Sequence, residues 1–413
     1  MTPIEWCLSF LLGTIALALL RSSWQRNGSR NAILAFFHPN ADAGGGGERV
    51  LWVSVKALAT QHPNCKCVIY TRDVGLSADE ILERVKVQFD ITLSKEDVDF
   101  VWLKQWRWIL AERYPTITLM GQSLGSLVPA YEALWKLRPD VFIDTTGFAF
   151  TLVLAKYGFG CRTIAYVHYP TVSKDMLRKV ENRVADYSNS STVTSSVMLS
   201  RVKLQYYRFF ASLYSLAGSS VDHAMVNSTW TKNHIDSLWN IPQRTSLVYP
   251  PCNVGTLATT PLEGREPKVV SVAQFRPEKA HMLQVEAFAL ARRALQERGV
   301  ITPKLRLVLI GGCRHEGDWK LVDDLKQRAI ELAVVDNIDF IINAEYSRLL
   351  SHLKNGLIGL HTMTEEHFGI GIVEYMAAGL VAIAHDSGGP KTDIVIEHNG
   401  TMTGMFDLTY ECD

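Results

Sequence analysis

Two glutamates and two glycines lie close together in the segment Glu366-His-Phe-Gly-Ile-Gly-Ile-Val-Glu374. The segment follows a short apolar run, Leu357 to Leu360, and opens a helical pattern that extends to Gly379. Gly369 and Gly371 would expose backbone N–H donors at the start of that helix, and the two carboxylates would accept hydrogen bonds from vicinal hydroxyl groups. The pattern predicts a sugar-binding loop, with two solvated surface charges as the alternative.

Two cations form a second candidate in the segment Arg276-Pro-Glu-Lys279, directly after the β-rich run Val269 to Ala273. The next such run, Leu305 to Ile310, ends in the pair Gly311-Gly312. Arginine binds phosphate oxygens as a fork and lysine binds them as a point charge. Cations and glycines at strand ends therefore predict a diphosphate clamp, although a surface turn would have the same composition.

A third candidate is the loop from His38 to Gly47, which contains four consecutive glycines. It lies between a predicted strand, Ala32 to Phe37, and a helix that is predicted to begin near Glu48. Glycines let the backbone approach a ligand closely, and a helix N-terminus attracts a negative group. The loop matches neither GxGxxG nor the P-loop pattern, so an anion-binding loop and a flexible loop both remain open.

The sequence also offers a different chemistry, because Gly121-Gln-Ser123-Leu-Gly125 matches the G-x-S-x-G pattern of serine hydrolases. It follows an apolar run, Thr116 to Met120, that is predicted as a strand, and Asp144 and His168 come later in the order of a catalytic triad. This hypothesis leaves the C-terminal half of the chain without a role, so it is the less favoured one. His168 taken alone equally fits a core or turn histidine.

The elements that must position these residues alternate between β-rich runs and helical patterns, which indicates parallel α/β architecture. A charged break at Leu262 to Lys268 separates two series of runs. We therefore predict two Rossmann-like, doubly wound domains, 31–260 and 261–413, with a cleft between them. The predicted strands, beside those named above, are Cys67 to Tyr70, Phe100 to Leu103, Val141 to Asp144, Thr163 to Val167, Ala224 to Val226, Ile338 to Ile342 and Val381 to Ala384.

Composition excludes several classes of protein. Of 413 residues 47% are hydrophobic, and 42 Lys and Arg balance 42 Asp and Glu, which argues against disorder and against nucleic-acid binding. The seven cysteines are an odd number, and Cys65 and Cys67 are spaced too closely for a metal knuckle. We expect reduced thiols, as in the cytosol.

The N-terminal segment 1–30 departs from this composition. Ile4 to Leu20 is almost wholly apolar and is followed by Arg21, Arg26 and Arg30. A basic flank after the apolar run favours an uncleaved transmembrane helix with the following chain in the cytosol. A signal peptide or a buried helix is the alternative.

These segments together resemble the retaining, nucleotide-sugar-dependent glycosyltransferases of GT-B fold, over nearly all of the chain after residue 30. Within them the chain is similar to the GDP-mannose-dependent alpha-1,2-mannosyltransferases of the dolichol pathway. That resemblance implies addition of the fourth and fifth mannoses to the lipid-linked oligosaccharide on the cytosolic face of the endoplasmic reticulum. The segments that carry it are His38-Pro with GGGGERVLW, GQSLGS at 121–126, YVHYP at 166–170, AQFRPEK at 273–279 and the Glu366 to Glu374 element.

The resemblance also implies roles for the candidates. Glu366 would contact the donor mannose as a catalytic residue, and Glu374 would contact the ribose. The remaining donor-binding residues would be Gly369, Ile370 and Gly371, which lend backbone donors, Gly312, and the diphosphate-binding Arg276 and Lys279. Many relatives place the phosphate arginine where this chain has Gln274, so Arg276 departs from their pattern.

In the N-terminal domain, the resemblance implies that Gly45 and Gly46 face donor phosphate and acceptor. His168 would touch the mannose near the reacting carbon as the second catalytic residue. The implied mechanism is front-side attack with retention of configuration, which requires no metal and no cofactor beyond the donor substrate. The one DxD sequence, Asp97-Val-Asp99, precedes its predicted strand and is interpreted as a solvated strand entrance.

The expected partners are the lipid-linked acceptor, the membrane of the endoplasmic reticulum and other mannosyltransferases of the pathway. Aromatic and basic residues interleave in Trp102 to Trp108 and Lys203 to Phe210, as in headgroup-contacting surfaces, although core helices can look alike. The resemblance implies closing helices after residues 406–413, where this sequence stops, so we expect a chain that is shortened relative to the family. A truncated form that is inactive or only binds ligand is therefore the alternative to an active enzyme.

Overall fold

The computed structural model of the protein describes residues 31–115, 117–172, 197–252, 254–300, 304–398 and 401–404. The chain divides between Pro251 and Cys252 into two compact units, each with its own parallel sheet. The expected anchor at Ile4 to Leu20 lies outside these residues. Within the part that is described, no helix combines the length and apolar character needed to cross a bilayer.

The N-terminal unit is built on a seven-stranded sheet of order β3-β2-β1-β4-β5-β6-β7 in which neighbouring strands are parallel. The order reverses between β1 and β4, so the loops that follow these strands meet at one edge. The strands are β1 (Ala32–Phe37), β2 (Cys65–Arg72), β3 (Val98–Leu103), β4 (Val141–Asp144), β5 (Arg162–Val167), β6 (His223–Val226) and β7 (Thr245–Leu247).

Helices cover both faces of this sheet. They are α1 (Gly46–Gln61), α2 (Ala78–Phe89), α3 (Thr118–Gly125), α4 (Leu127–Lys136), α5 (Ala149–Val153), α6 (Val197–Ser219) and α7 (Thr229–Trp239). Successive side chains of β1 enter different cores, since Ala35 and Phe37 belong to one apolar cluster and Phe36 to another. A strand that is buried on both faces has a continuous apolar sequence, which is why β1 could be predicted.

One strand prediction was wrong. Residues 118–120 of the run Thr116 to Met120 begin helix α3, and Thr116 itself lies outside the described residues. The helix is fixed by close packing at its glycines: a Cβ at Gly121 would lie 2.3 Å from the ring of Tyr114, and one at Gly125 would lie 2.2 Å from Trp108 O. Tertiary packing thus decides a short β-rich segment in favour of a helix.

The C-terminal unit is built on a five-stranded sheet of order β10-β9-β8-β11-β12, again with parallel neighbours. Its strands are β8 (Lys268–Val272), β9 (Arg306–Gly311), β10 (Ile338–Ile342), β11 (Ile358–His361) and β12 (Val381–Ala384). A two-stranded antiparallel hairpin of β13 (Val395–His398) and β14 (Thr401–Gly404) follows. Neither this hairpin nor β7 was predicted, because all three segments are only three or four residues long.

The helices of this unit are α8 (Gly255–Ala258), α9 (His281–Glu297), α10 (Glu316–Glu331), α11 (Tyr346–Asn355) and α12 (Ile370–Ala377). Alternation on β9 again divides two cores, because Leu307 and Leu309 join one cluster and Val308 and Ile310 join the other. The expectation of two doubly wound α/β domains is confirmed in each unit.

Candidate functional site

The C-terminal unit brings two of the predicted segments together where its strand order reverses. Strand β8 lies between β9 and β11, so the loops that follow β8 and β11 leave the same end of the sheet side by side. The first loop carries Lys279 and the second carries Glu366. Their Nζ and Oε2 atoms are 2.6 Å apart, a direct ion pair between segments that are remote in sequence.

The carboxylate of Glu366 is buried, and both of its oxygens make hydrogen bonds. Its Oε2 accepts from Lys279 Nζ and also lies 2.8 Å from His361 Nε2 at the end of β11. Its Oε1 accepts from the backbone N–H of His367 at 3.0 Å. Burial by itself raises the pKa of Glu366, but the hydrogen bond from His361 and the charge of Lys279 outweigh it and hold the pKa well below its usual value. Glu366 is therefore a carboxylate, and His361 Nε2 is the donor.

Helix α12 begins directly after this loop, as predicted, although it ends at Ala377 rather than near Gly379. Its N-cap, Gly369, has φ of 106°, and a Cβ there would lie 2.9 Å from Ile372 Cδ1, so glycine is required. The helix is held on the sheet by Tyr375, whose hydroxyl accepts from Val272 N at 2.7 Å. The backbone of Gly369 to Gly371 thus stands at a fixed helix start.

The turn that carries Lys279 is held by a side chain of the loop that follows β11. Ala280 adopts a left-handed conformation with φ of 53°, and Thr362 Oγ1 lies within hydrogen-bond distance of the carbonyl oxygens of Lys279 and Ala280. Gln284, buried on α9, donates to Thr362 Oγ1 at 2.8 Å. Because αL geometry is costly for alanine, these contacts must hold the turn in place.

The other predicted donor residues lie in the same loops with looser contacts. Arg276 begins the turn of Lys279, and its described ion pair is with Glu278 at 4.0 Å. Gly312 accepts at its carbonyl from Phe275 N, which ties the glycine pair after β9 to the loop after β8. Glu374 lies half-buried on α12.

Sequence reasoning missed the groups that hold the backbone at Glu365 and Glu366. The loop after β12 contains Ser387, Gly388 and Gly389: Ser387 Oγ accepts from Glu365 N, and Gly389 N donates to Glu366 O at 2.7 Å. A Cβ at Gly388 would lie 2.3 Å from Glu366 O, so this position also needs glycine. The signal was a glycine pair that follows a predicted strand after three residues. His361 carried a similar signal, since it stands at the carboxyl end of β11.

The glycine loop of the N-terminal unit is organised locally. Gly45 is the N-cap of α1, and its N–H donates to Glu48 Oε2 at 2.7 Å. The other oxygen of Glu48 lies 3.4 Å from Nε2 of buried His38, whose Nδ1 is 2.7 Å from Thr145 Oγ1. Burial raises the pKa of Glu48, but the hydrogen bond and charge of His38 turn the net shift downward. Helix α1 begins at Gly46, which is two residues before the predicted start.

His168 is placed beside that loop by the end of β5. A Cβ on Gly47 would lie 3.5 Å from His168 Nε2, so the ring stands directly over the start of α1. The carbonyl of His168 accepts from Asn227 Nδ2 at 2.9 Å, which fixes the backbone after β5 against the end of β6. The structure therefore brings together His168 and the glycine loop.

The serine hydrolase hypothesis fails on the same unit. Ser123 lies buried inside helix α3, whereas a nucleophile elbow places its serine on a turn between a strand and a helix. Asp144 uses its carboxylate to accept from Thr146 N and Gly147 N in its own turn, and burial raises the pKa of Asp144 to about 6. These contacts shape the loop after β4 and do not form a triad.

Two other sequence motifs take structural roles. Asp97 closes an exposed turn by accepting from Ser94, and Asp99, which lies within β3 and not before it, pairs with Lys66. In the aromatic stretch, the ring of Trp106 lies 5.6 Å from the guanidinium of Arg72. The ring of Trp106 thus packs against a cation from the end of β2 within the fold.

Comparison with solved structures defines the fold. The structure of Anabaena Alr3699/HepE in complex with UDP-glucose matches with a TM-score of 0.58 at 14% identity, covering 89% of this chain and 83% of that one. The structure of a mutant of S. aureus TarM in complex with UDP matches with a TM-score of 0.59 at 9% identity, covering 89% and 88%. The model for glycosyl transferases group 1 matches residues 258–406. The protein is a glycosyltransferase of GT-B fold.

Relatives of known name narrow this class. The model described as ALG11 mannosyltransferase N-terminus matches residues 31–239. Proteins named GDP-Man:Man(3)GlcNAc(2)-PP-Dol alpha-1,2-mannosyltransferase are 47% identical in Homo sapiens, over 97% of this chain and 82% of the relative, and 47% identical in Mus musculus, over 93% and 78%. The chain belongs to this mannosyltransferase family, which confirms the resemblance.

Proposed function

We propose that the protein transfers mannose from GDP-mannose, in alpha-1,2 linkage, to the dolichol-diphosphate-linked oligosaccharide used for protein N-glycosylation, adding its fourth and fifth mannoses. The observation that carries the proposal is similarity to relatives with this name over 97% of the chain, together with an assembled Lys279 and Glu366 pair. Guanine recognition rests on the relatives alone, because no described contact reads the base.

Donor binding is assigned to the loops after β8, β9 and β11. In this proposal the diphosphate meets the ammonium of Lys279, the fork of Arg276 and the backbone of Gly312, while the mannose meets Glu366 and the N–H groups of Gly369, Ile370 and Gly371. The ribose meets Glu374. The short ion pair at Lys279 supports this assignment, since it places a cation at the adjoining ends of β8 and β11, where the diphosphate and the mannose are assigned.

The proposed reaction proceeds with retention of configuration and without a metal. The acceptor hydroxyl attacks the anomeric carbon from the face that the diphosphate leaves, and a departing phosphate oxygen receives the hydroxyl proton. Positive charge that develops on the sugar is stabilised by the carboxylate of Glu366, and negative charge on the leaving group by Lys279 and Arg276. Positioning and electrostatics supply the rate enhancement.

In the N-terminal unit, the proposal assigns Gly45, Gly46 and His168 to the acceptor and the transferred group. The N-terminus of α1 offers backbone donors to a phosphate, and His168 stands over this helix start. The contact between Glu48 and Gly45 N supports the assignment because it fixes the loop at the start of α1 in a defined conformation.

We also propose a single-pass protein of the endoplasmic reticulum, anchored through Ile4 to Leu20, with its catalytic domains in the cytosol. Helix α6 supports contact with the membrane. It exposes Val202, Phe209 and Leu216, each at least 59% accessible and repeating at heptad spacing, and the exposed Arg201 and Arg208 lie on the same helix. An apolar stripe beside arginines is complementary to a layer of acyl chains and anionic headgroups.

This surface is tested with two acceptors. We expect Phe209→Ser with Leu216→Ser to lower transfer to a dolichol-linked acceptor in vesicles and to leave transfer to a short-chain, water-soluble acceptor unchanged. The matched control is Val87→Ser on α2, an exposed apolar residue away from α6. Equal activity of the double variant on both acceptors would show that the stripe does not contact the membrane, and loss on both would point to a role in folding or catalysis.

The donor is tested with the full-length protein in detergent. We expect transfer of labelled mannose from GDP-mannose to the lipid-linked acceptor, little transfer from UDP-sugars and little effect of EDTA. Glu366→Gln, which keeps the side-chain size, is the matched control with strongly reduced activity. Preferential use of a UDP-sugar would contradict the proposed donor, and loss on chelation would contradict the metal-free mechanism. Binding of GDP without any transfer would favour the alternative of an inactive form.

A further inference from the structure

The oxygen Oε2 of Glu366 has two donors of different character. Lys279 Nζ reaches it at 2.6 Å from the loop after β8, and His361 Nε2 reaches it at 2.8 Å from the end of β11. The lysine head stands on a flexible four-carbon stem, and its Nζ also lies 3.1 Å from Met363 Sδ. The imidazole belongs to a buried strand residue whose backbone carbonyl accepts from His385 N at 3.1 Å. One contact can move, and the other is fixed by the sheet.

This difference matters once the donor is bound. The inference rests on the proposed function, in which Lys279 binds the diphosphate and Glu366 binds the mannose. When the ammonium turns toward phosphate, Oε2 loses the lysine, and His361 is then its remaining side-chain donor among the described contacts. Oε1 keeps the N–H of His367. The carboxylate would otherwise rotate away from the sugar or stay paired with Lys279.

We propose that His361 is a positioning residue, which holds the carboxylate of Glu366 toward the sugar while Lys279 exchanges it for the diphosphate. The exchange is feasible because the N–H of His361 reaches Oε2 from the end of β11, so this hydrogen bond does not depend on the position of Lys279. A residue of this kind acts through Glu366 and does not touch the substrate.

The test uses His361→Leu, which removes the donor, and His361→Gln, whose amide can replace Nε2–H. We expect kcat to fall about 10-fold to 100-fold in His361→Leu, as for loss of a hydrogen bond to a charged group, and His361→Gln to recover most of it. The affinity for GDP, which lacks the mannose, should stay within about twofold in both, since the Lys279 turn is held by Thr362 and Gln284. His352→Leu on α11 is the matched control and should behave as wild type.

A double-mutant cycle decides whether the effect passes through Glu366. In a Glu366→Gln background we expect His361→Leu to change the residual kcat less than about twofold. Losses that multiply, wild-type kcat in His361→Leu, or a parallel loss of GDP affinity and thermal stability would each overturn the proposal. The cycle can be run with whichever nucleotide sugar the wild type uses, so failure of the GDP-mannose assignment is a separate result.

Discussion

The two glycine-rich helix starts, at α1 in the N-terminal unit and at α12 in the C-terminal unit, solve the same problem in different ways. At α1, the side chain of Glu48 accepts from Gly45 N, so this contact joins residues that are three positions apart in sequence. At α12, Glu366 is held by His361 and Lys279 from two separate strand ends. The first device is local and the second exists only in the folded unit. The ion pair of Lys279 and Glu366 therefore lies at the helix start where the proposed chemistry takes place.

The largest expected effect comes from variants that remove the ion pair of Glu366 and Lys279 at the start of α12. We expect Glu366→Ala and Lys279→Ala each to lower kcat about 100-fold to 1000-fold, because each removes a preorganised electrostatic contact from the proposed transition state. Steady-state kinetics with GDP-mannose measure this, with circular dichroism to show that the fold is kept. A rate near wild type in either variant would remove that residue from the site.

The two helix starts can also be compared by the stability lost when the N-cap glycine of each is replaced by alanine. Gly369 has φ of 106°, whereas Gly45 has φ of −105°, which any residue adopts. We expect Gly369→Ala to cost about 1 to 2 kcal/mol of unfolding free energy through left-handed strain. Gly45→Ala should cost about 0.5 to 1 kcal/mol, because only the flexible end of Glu48 must move. Urea denaturation checks both, and equal losses would contradict the distinction.

The pH dependence of stability separates the two carboxylates further. Both have a pKa in the folded protein below the usual 4.5, so each contributes stability above that value that is lost as pH falls. The shift is large for Glu366, which is paired with Lys279, and smaller for Glu48. We expect urea midpoints measured from about pH 6 to about pH 3 to fall less steeply in Glu366→Gln than in wild type, with a weaker change in Glu48→Gln. Parallel curves for all three proteins would refute the assigned shifts.

Sequence reasoning found the strands of both sheets wherever they are buried on two faces, and it placed Lys279 and Glu366 at strand ends. It could not show that these residues touch, because their contact depends on β8 and β11 being neighbours, which is a property of strand order. His361 lies only five residues before Glu366, and it was missed because a lone histidine near a carboxylate does not show that the two side chains pair. The error at Thr116 to Met120 came from judging a short segment by composition, when packing of Gly121 on Tyr114 makes it a helix.

The smallest expected effect concerns that misjudged segment. We expect Ser123→Ala to leave kcat within about twofold of wild type, because the hydroxyl lies buried within α3, remote in sequence from either helix start. A fluorophosphonate probe should not label the protein. Labelling that is lost in Ser123→Ala would restore the hydrolase hypothesis.

Glycosylation of Asn-X-Ser/Thr sequons reports the side of the membrane on which the catalytic part lies. A sequon that is buried in the fold is less informative than the others. Asn227, in the sequon Asn-Ser-Thr, is buried and donates to His168 O, so it would remain unmodified in the folded protein on either side of a membrane. The sequons at Asn27, Asn189 and Asn399 lie outside the described residues. We expect none of these three to carry a glycan in cells, as proposed for a cytosolic catalytic part, and a shift on endoglycosidase treatment would contradict that orientation.

The central claim is the transfer of alpha-1,2-linked mannose from GDP-mannose, and analysis of the product tests it most directly. The full-length protein is incubated with GDP-mannose and a dolichol-diphosphate-linked acceptor that carries three mannoses, and the released oligosaccharide is treated with an alpha-1,2-specific mannosidase. We predict a product longer by one and then two mannoses, which the mannosidase returns to the starting acceptor. An elongated product that resists this enzyme, or elongation only with another nucleotide sugar, would contradict the account.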